Sequence, residues 1–116
     1  MARVLVSESD SGVRGLLLAV LRRRGHDAVA LPGRADEELP EGDLLVAEPA
    51  YGHGLLHAWA LRDQDPSLAI VLVSILPPER AFLGLRPAAY LLKPFSVAAL
   101  ERAVDAALTS SAAAAR

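Results

Sequence analysis

Residues 90–100 read YLLKPFSVAAL. The apolar residues 90–92 predict a short buried strand, which Lys93 and the following Pro94 bring to an end. Ser96 is a residue type that caps the beginning of a helix well, and apolar residues recur after it at helical spacing. The stretch therefore predicts one β-α unit, with a lysine at the carboxyl end of its strand.

The same unit recurs along the rest of the chain. Short apolar runs predict four more strands, and segments with apolar residues at helical spacing separate them. The predicted strands are Val4–Ser7, 27–31, Leu44–Ala47 and Leu68–Val73, and the helical segments include 13–21, 55–61 and 79–85. Short apolar strands that alternate with helices indicate a parallel sheet with both faces covered. The sequence therefore predicts an α/β fold with five parallel strands.

Two of the segments between the strands are short. Residues 34–42, RADEELPEG, are acidic and contain a proline, so they predict at most about one or two helical turns. The segment 79–85 is limited by Pro87. After the last helix, TSSAAAAR at 109–116 is low in complexity and predicts a flexible tail. We therefore expect a single domain over residues 1–108.

The composition narrows the class of protein. With 116 residues and a hydrophobic fraction of 53%, the chain can bury the core of one domain. Its formal net charge of -2 gives no basic excess, which argues against nucleic-acid binding. The apolar runs are shorter than the roughly 20 residues that a membrane span needs, and the sequence has no cysteine. We expect a cytoplasmic protein that binds neither nucleic acid nor membranes.

Polar side chains follow the predicted strands at the point where each strand ends. Strand one ends in SESD, residues 7–10, while Glu48, Ser74 and Lys93 follow strands three, four and five. Because the carboxyl ends of parallel strands meet at one edge of the sheet, where ligands bind in such folds, we expect these side chains to converge. A lysine at the end of a buried strand needs a partner, and Glu48 is the expected one.

Three stretches together resemble the receiver domains of two-component response regulators. They are YLLKPFSVAAL at 90–100, the run VLVSESDSGVRGLLLAVLRRRGHDAVAL from Val4, and DLLVAE at 43–48. The resemblance covers roughly residues 3–108. It implies a doubly wound (βα)5 flavodoxin-like receiver fold, whose five-stranded parallel sheet has the order 2-1-3-4-5, here with shortened second and fourth helices.

The resemblance also implies roles for the residues at the carboxyl edge. In the family, two acids after the first strand hold Mg²⁺, and Glu8 and Ser9 occupy these positions, with Asp10 beside them in the acidic pocket. The aspartate that accepts the phosphoryl group corresponds to Glu48. The lysine that pairs with this aspartate corresponds to Lys93.

Two more positions correspond to the family's switch. The hydroxyl residue that binds the phosphoryl oxygens corresponds to Ser74, and the aromatic residue that changes rotamer with it corresponds to Tyr90. The family's Lys-Pro peptide is typically cis. We therefore expect a cis bond between Lys93 and Pro94, at little cost because the second residue is proline.

The acids depart from the family's pattern. Glu48 is one methylene longer than aspartate, which pushes its oxygens into the space meant for the phosphoryl group. Ser9 replaces an anionic Mg²⁺ ligand with a neutral one, and Asp10 is a candidate helix cap, which competes with metal binding. The loop PAYGHG, residues 49–54, is also shorter than the family's loop. We expect no phosphorylation, no cofactor and no metal, with Glu8 and Glu48 as weak metal candidates.

We therefore predict a non-enzymatic, receiver-like module that acts through protein contacts. Either the Lys93–Glu48 pair holds it permanently in the activated arrangement, or it is a docking platform; the platform is favoured because it needs no displaced switch pair. The expected partner is a signalling protein, and a homodimer is an alternative. The expected face comprises Glu79–Leu85, Tyr90–Leu92 and Val97–Leu108.

Two other functions are possible for a chain with this predicted fold. The alternative is a Mg²⁺-dependent phosphoacceptor in a phosphorelay. A stand-alone α/β enzyme has no support, because the turn SESDSG lacks a glycine-rich nucleotide-binding pattern. His53 and His57 have a spacing that can hold a metal on a helix, but no third ligand is near in sequence, so we expect solvent-facing or capping histidines.

Overall fold

The computed structural model describes residues 2–33 and 38–114. In these residues, five strands and four helices alternate along the chain, except that β3 follows β2 without a described helix between them. The strands are β1 (Arg3–Ser7), β2 (Asp27–Ala30), β3 (Leu44–Ala47), β4 (Ala69–Ser74) and β5 (Ala89–Leu92). The helices are α1 (Ser11–Arg23), α2 (Gly54–Gln64), α3 (Arg80–Leu83) and α4 (Val97–Ala114).

All neighbouring strands are parallel, and their order is β2-β1-β3-β4-β5. This confirms the predicted doubly wound fold and strand order. The strand ends lie within one residue of the predicted ends, a difference within the usual uncertainty of element boundaries. The fold therefore brings the ends of β1, β3, β4 and β5 to one edge of the sheet, as the sequence predicted.

The central strand β3 shows how the core is built. All four of its residues are buried. Leu44 and Val46 face the layer formed by α1 and α4, whereas Leu45 and Ala47 face the layer that contains α2 and α3. A parallel strand covered on both faces is apolar at every position, which explains why the run 44–47 has no polar residue.

Of the two segments predicted to hold short helices, one contains a helix and the other is only partly described. Helix α3 has four residues, which confirms the shortened fourth helix. Between β2 and β3, residues 38–43 contain no helix, while 34–37 of the predicted short second helix lie outside the described residues.

The end of the last helix corrects the sequence prediction. Residues 109–114 were expected in a tail, but α4 continues through Ala114. Thr109 joins the helix by donating its hydroxyl hydrogen to the carbonyl of Asp105, at 2.8 Å. Residues 115–116 of the predicted tail lie outside the described residues. None of the helices in 2–33 and 38–114 combines the length and the apolar character needed to cross a membrane.

A buried arginine ties α2 to the segments beside it. The Arg62 guanidinium donates to the carbonyls of Leu68 at 2.6 Å, Leu85 at 2.9 Å, Pro66 at 3.0 Å and Arg86 at 3.3 Å. Its planar array of donors allows one side chain to satisfy several carbonyls. The contacts fix the end of α2 against the start of β4 and against the turn that follows the short α3.

Candidate functional site

Two carboxylates and one ammonium group meet at the carboxyl edge of the sheet. The side chains of Glu8 and Glu48 are only 1% and 2% exposed, and that of Lys93 is 13% exposed. Lys93 Nζ donates a hydrogen bond to Glu8 Oε1 and lies 3.0 Å from Glu48 Oε2. The predicted contact between Lys93 and Glu48 is therefore present, and Glu8 is a second partner. We call Glu8, Glu48 and Lys93 the carboxylate–lysine cluster.

The remaining carboxylate oxygens bind the backbone of their own loops. Glu8 Oε2 accepts from the amide of Asp10 at 3.3 Å, and Glu48 Oε1 accepts from the amide of Ala50 at 2.7 Å. Among the described residues, Glu48 Oε2 has no partner in hydrogen-bond geometry, so the ion pair with Lys93 is its polar contact. Each carboxylate thus uses one oxygen for a local amide and the other for the shared ammonium.

The two carboxylates determine the charge of the lysine. Burial alone would lower the pKa of Lys93, because it disfavours the charged form. The direct contacts with Glu8 and Glu48 and the negative charges of the two carboxylates outweigh this effect and raise the pKa. Lys93 is therefore an ammonium cation throughout the physiological pH range.

Asp10 lies next to the cluster in sequence but serves the helix. Its side chain accepts a hydrogen bond from the amide of Val13 at 3.0 Å and caps α1. This bond lowers the pKa of Asp10, because it stabilises the carboxylate. The predicted capping role is confirmed, and Asp10 is committed to α1.

The loop between β3 and α2 closes over the neighbouring residue, Ser9. Gly52 has a positive φ of 69°, and a Cβ atom built there would lie 2.7 Å from Ser9 Cβ. At the start of α2, a Cβ atom on Gly54 would lie 1.8 Å from the carbonyl oxygen of Glu48. Both glycines are needed for this close approach. The short loop therefore packs directly on the two backbone segments that carry the cluster.

The two residues matched to the family's switch meet at Leu76, in the loop after β4. Buried Ser74 accepts a hydrogen bond from the Leu76 amide through Oγ, at 3.2 Å. The Tyr90 hydroxyl donates to the Leu76 carbonyl at 2.7 Å, and its ring packs partly buried against the layer of α2 and α3. The Lys93–Pro94 peptide is cis, as the resemblance to receiver domains implied.

The prediction for His57 was wrong. Its side chain is 2% exposed rather than solvent-facing, and Nδ1 lies 2.6 Å from Ser7 Oγ in a buried hydrogen bond. His57 precedes buried Leu61 by one helical turn, a spacing that would have placed it on the inner face of α2. His53 is exposed and stands at the cap position of α2 without a capping bond from its side chain. In 2–33 and 38–114, no three metal-binding side chains come together.

The residues at this edge do not fit the Mg²⁺ ion that the resemblance implies. Mg²⁺ requires oxygen ligands in near-octahedral geometry. Glu8 and Glu48 converge on the ammonium of Lys93, Ser9 is neutral and lies under Gly52, and Asp10 caps α1. The arrangement is a closed charge cluster and lacks the open set of carboxylates that a divalent ion needs.

Comparison with known proteins finds similarity only among solved structures. No protein-family model and no curated protein matches the chain. A CheY-like receiver domain protein from Methanospirillum hungatei is 17% identical with a TM-score of 0.80, and the match covers 96% of both chains. Response regulator TrrA from Thermotoga maritima, in complex with Mg²⁺ and BeF, is 22% identical with a TM-score of 0.74, over 92% of this chain and 99% of the other.

A longer protein gives a similar match. NtrX from Brucella abortus, in complex with ADP, is 21% identical with a TM-score of 0.79. The match covers 95% of this chain but only 27% of NtrX. At this level of identity the similarities establish the fold: the chain has the five-stranded fold of response-regulator receiver domains.

Proposed function

We propose that the chain is a receiver-type signalling module that acts through contacts with another protein and is not phosphorylated at Glu48. The observation that carries the proposal is the buried ion pair, in which Lys93 Nζ lies 3.0 Å from Glu48 Oε2. The lysine contacts the glutamate carboxylate directly. The module is non-enzymatic in this proposal, and its cytoplasmic location follows from the resemblance to two-component receivers.

The surroundings of Glu48 support the loss of phosphoryl acceptance. An acceptor carboxylate needs an oxygen that can approach phosphorus in line, and transfer depends on positioning and on metal charge. Glu48 Oε1 is held by the Ala50 amide and Oε2 by Lys93. The carboxylate is 2% exposed, so a donor could reach it only after the cluster opens.

The switch residues support the version with one fixed arrangement. Tyr90 is partly buried and bonded to the Leu76 carbonyl, while Ser74 holds the amide of the same residue. A direct Glu48–Lys93 contact together with an inward tyrosine is what the permanently activated version requires. We therefore favour the permanently activated version over a docking platform without a defined switch state. The sequence alone had favoured the docking platform.

The proposed contact surface is the free edge of β5 between α3 and α4. Strand β5 lies at the edge of the sheet, so one of its sides has no neighbouring strand among the residues that the structure describes. Leu83 of α3 and Leu92 of β5 are large apolar side chains exposed at this edge. The partner we propose is a signalling protein, with a second copy of the chain as the alternative.

Intact-mass spectrometry after incubation with Mg²⁺ and a small acyl phosphate tests the proposal. We expect no added mass of about 80 Da, the mass of one phosphoryl group, because both oxygens of Glu48 are engaged. An ordinary receiver domain treated in parallel is the positive control. Stoichiometric uptake of one phosphoryl group that is lost in a Glu48→Gln variant would establish the alternative, a working phosphoacceptor.

A further inference from the structure

We infer that Lys93 supplies the cation of this site in place of a divalent metal ion, so that the arrangement of the cluster does not depend on Mg²⁺. The inference rests on the proposed function and extends it, because a module without metal chemistry still needs a positive charge to hold two buried carboxylates together. The proposed function is the loss of phosphoryl acceptance at Glu48, whereas the inference names the cation that neutralises Glu8 and Glu48.

The position of the ammonium carries the inference. Lys93 Nζ contacts Glu8 Oε1 and Glu48 Oε2 at the same time. A metal ion that bridged these two oxygens would have to occupy the volume that the ammonium fills. The other two oxygens are held by the amides of Asp10 and Ala50, so binding a metal through them would break both hydrogen bonds.

The type of cation also fits this role. Lys93 is the only lysine in the sequence. Histidines aside, every other basic side chain is an arginine. A lysine ammonium is a compact point charge on a flexible stem, whereas the guanidinium is a planar fork suited to bidentate pairing. The ammonium therefore stands between two converging carboxylates as a small ion does.

The surrounding residues close the other approaches for a metal. Gly52 packs on Ser9, and Gly54 packs on the carbonyl of Glu48. The Arg14 guanidinium donates to the backbone carbonyl of Glu8 at 3.0 Å. The carbonyl oxygen of Glu8 therefore has a partner, and the guanidinium is a second cation, besides Lys93, near the cluster. A divalent ion would be repelled by both basic side chains.

Titration with Mn²⁺, followed by the electron paramagnetic resonance signal of the free ion, tests the inference. The wild type should show no saturable binding up to roughly 10 mM, well above the dissociation constants of weak divalent-cation sites. A Lys93→Met variant should bind one Mn²⁺ with a dissociation constant of about 1 mM or less, at least tenfold below that limit, because the position of the ammonium between the two carboxylates is then unfilled. A Lys93→Met/Glu48→Gln double variant is the matched control and should lose the gain.

The outcomes separate this inference from the proposed function. Saturable one-to-one binding of Mn²⁺ by the wild type would overturn the inference, and if the protein still gained no phosphoryl mass, the proposed function would stand. A folded Lys93→Met variant without increased affinity would also overturn it. Should that variant fail to fold, the wild type decides alone: an unfolding temperature that rises when Mg²⁺ replaces EDTA contradicts the inference, and an unchanged temperature supports it.

Discussion

Replacing Lys93 with methionine is expected to lower the free energy of unfolding by about 3–5 kcal/mol at pH 7. Methionine matches the apolar stem of lysine and leaves only the position of the ammonium unfilled, so the loss reports mainly the charge. The variant leaves Glu8 and Glu48 buried beside each other without their cation. Urea unfolding followed by circular dichroism, with the wild type under identical conditions, measures the difference.

A matched exchange on the surface controls for the substitution itself. Arg102 is exposed on α4. Arg102→Met should change the free energy of unfolding by no more than about 0.5 kcal/mol, as surface substitutions usually do. A loss below about 1 kcal/mol for Lys93→Met, the range of an exposed pair, would contradict the view that the cluster is a buried ion pair.

Replacing Gly54 with alanine is expected to cost about 3 kcal/mol or more. The new Cβ atom would lie 1.8 Å from the carbonyl oxygen of Glu48 and 2.7 Å from its carbonyl carbon. No rotation relieves a clash between two backbone segments, so α2 or the end of β3 must move. Thermal unfolding followed by circular dichroism measures the loss of stability. An intact-mass assay for phosphoryl uptake on the same variant checks whether Glu48 becomes accessible when the loop is displaced.

Gly15 provides the matched control for this prediction. It lies inside α1, and a Cβ atom there would have nothing within 4 Å. Gly15→Ala should therefore raise the free energy of unfolding by about 0.5–1 kcal/mol, because alanine has the higher helix propensity. Equal effects of the two substitutions would show that the close packing of α2 on Glu48 is absent.

The sequence predicted the sheet well because each strand is bounded by clear signals. Strand β3 has the predicted bounds, Leu44–Ala47, since its apolar run lies between two acids, Asp43 and Glu48. The end of α4 was predicted less well. An alanine-rich run was interpreted as a tail because of its low complexity, although alanine is the strongest helix former, and the helix continues through it.

The sequence predicted which residues reach the site but only part of how they pair. The rule that the carboxyl ends of parallel strands share one edge was enough to predict the contact between Glu48 and Lys93. The sharing of Lys93 with Glu8 depends on side-chain torsions and on the local amides that hold the other oxygens, which no spacing rule specifies. The buried contacts of His57 and Arg62 were missed for a related reason, since polar residues are expected on the surface unless a partner is known.

Lys93 is the only lysine in the sequence, so the ionisation of its side chain can be measured directly. In a protein labelled with ¹³C-lysine, the Cε resonance of Lys93 reports the ionisation of that one side chain during a pH titration. We predict a pKa above that of an unperturbed lysine, because Glu8 and Glu48 stabilise the ammonium more than burial destabilises it. In a Glu48→Gln variant the pKa of Lys93 should be lower. A pKa at or below the value of an exposed lysine, unchanged by Glu48→Gln, would contradict the carboxylate–lysine cluster.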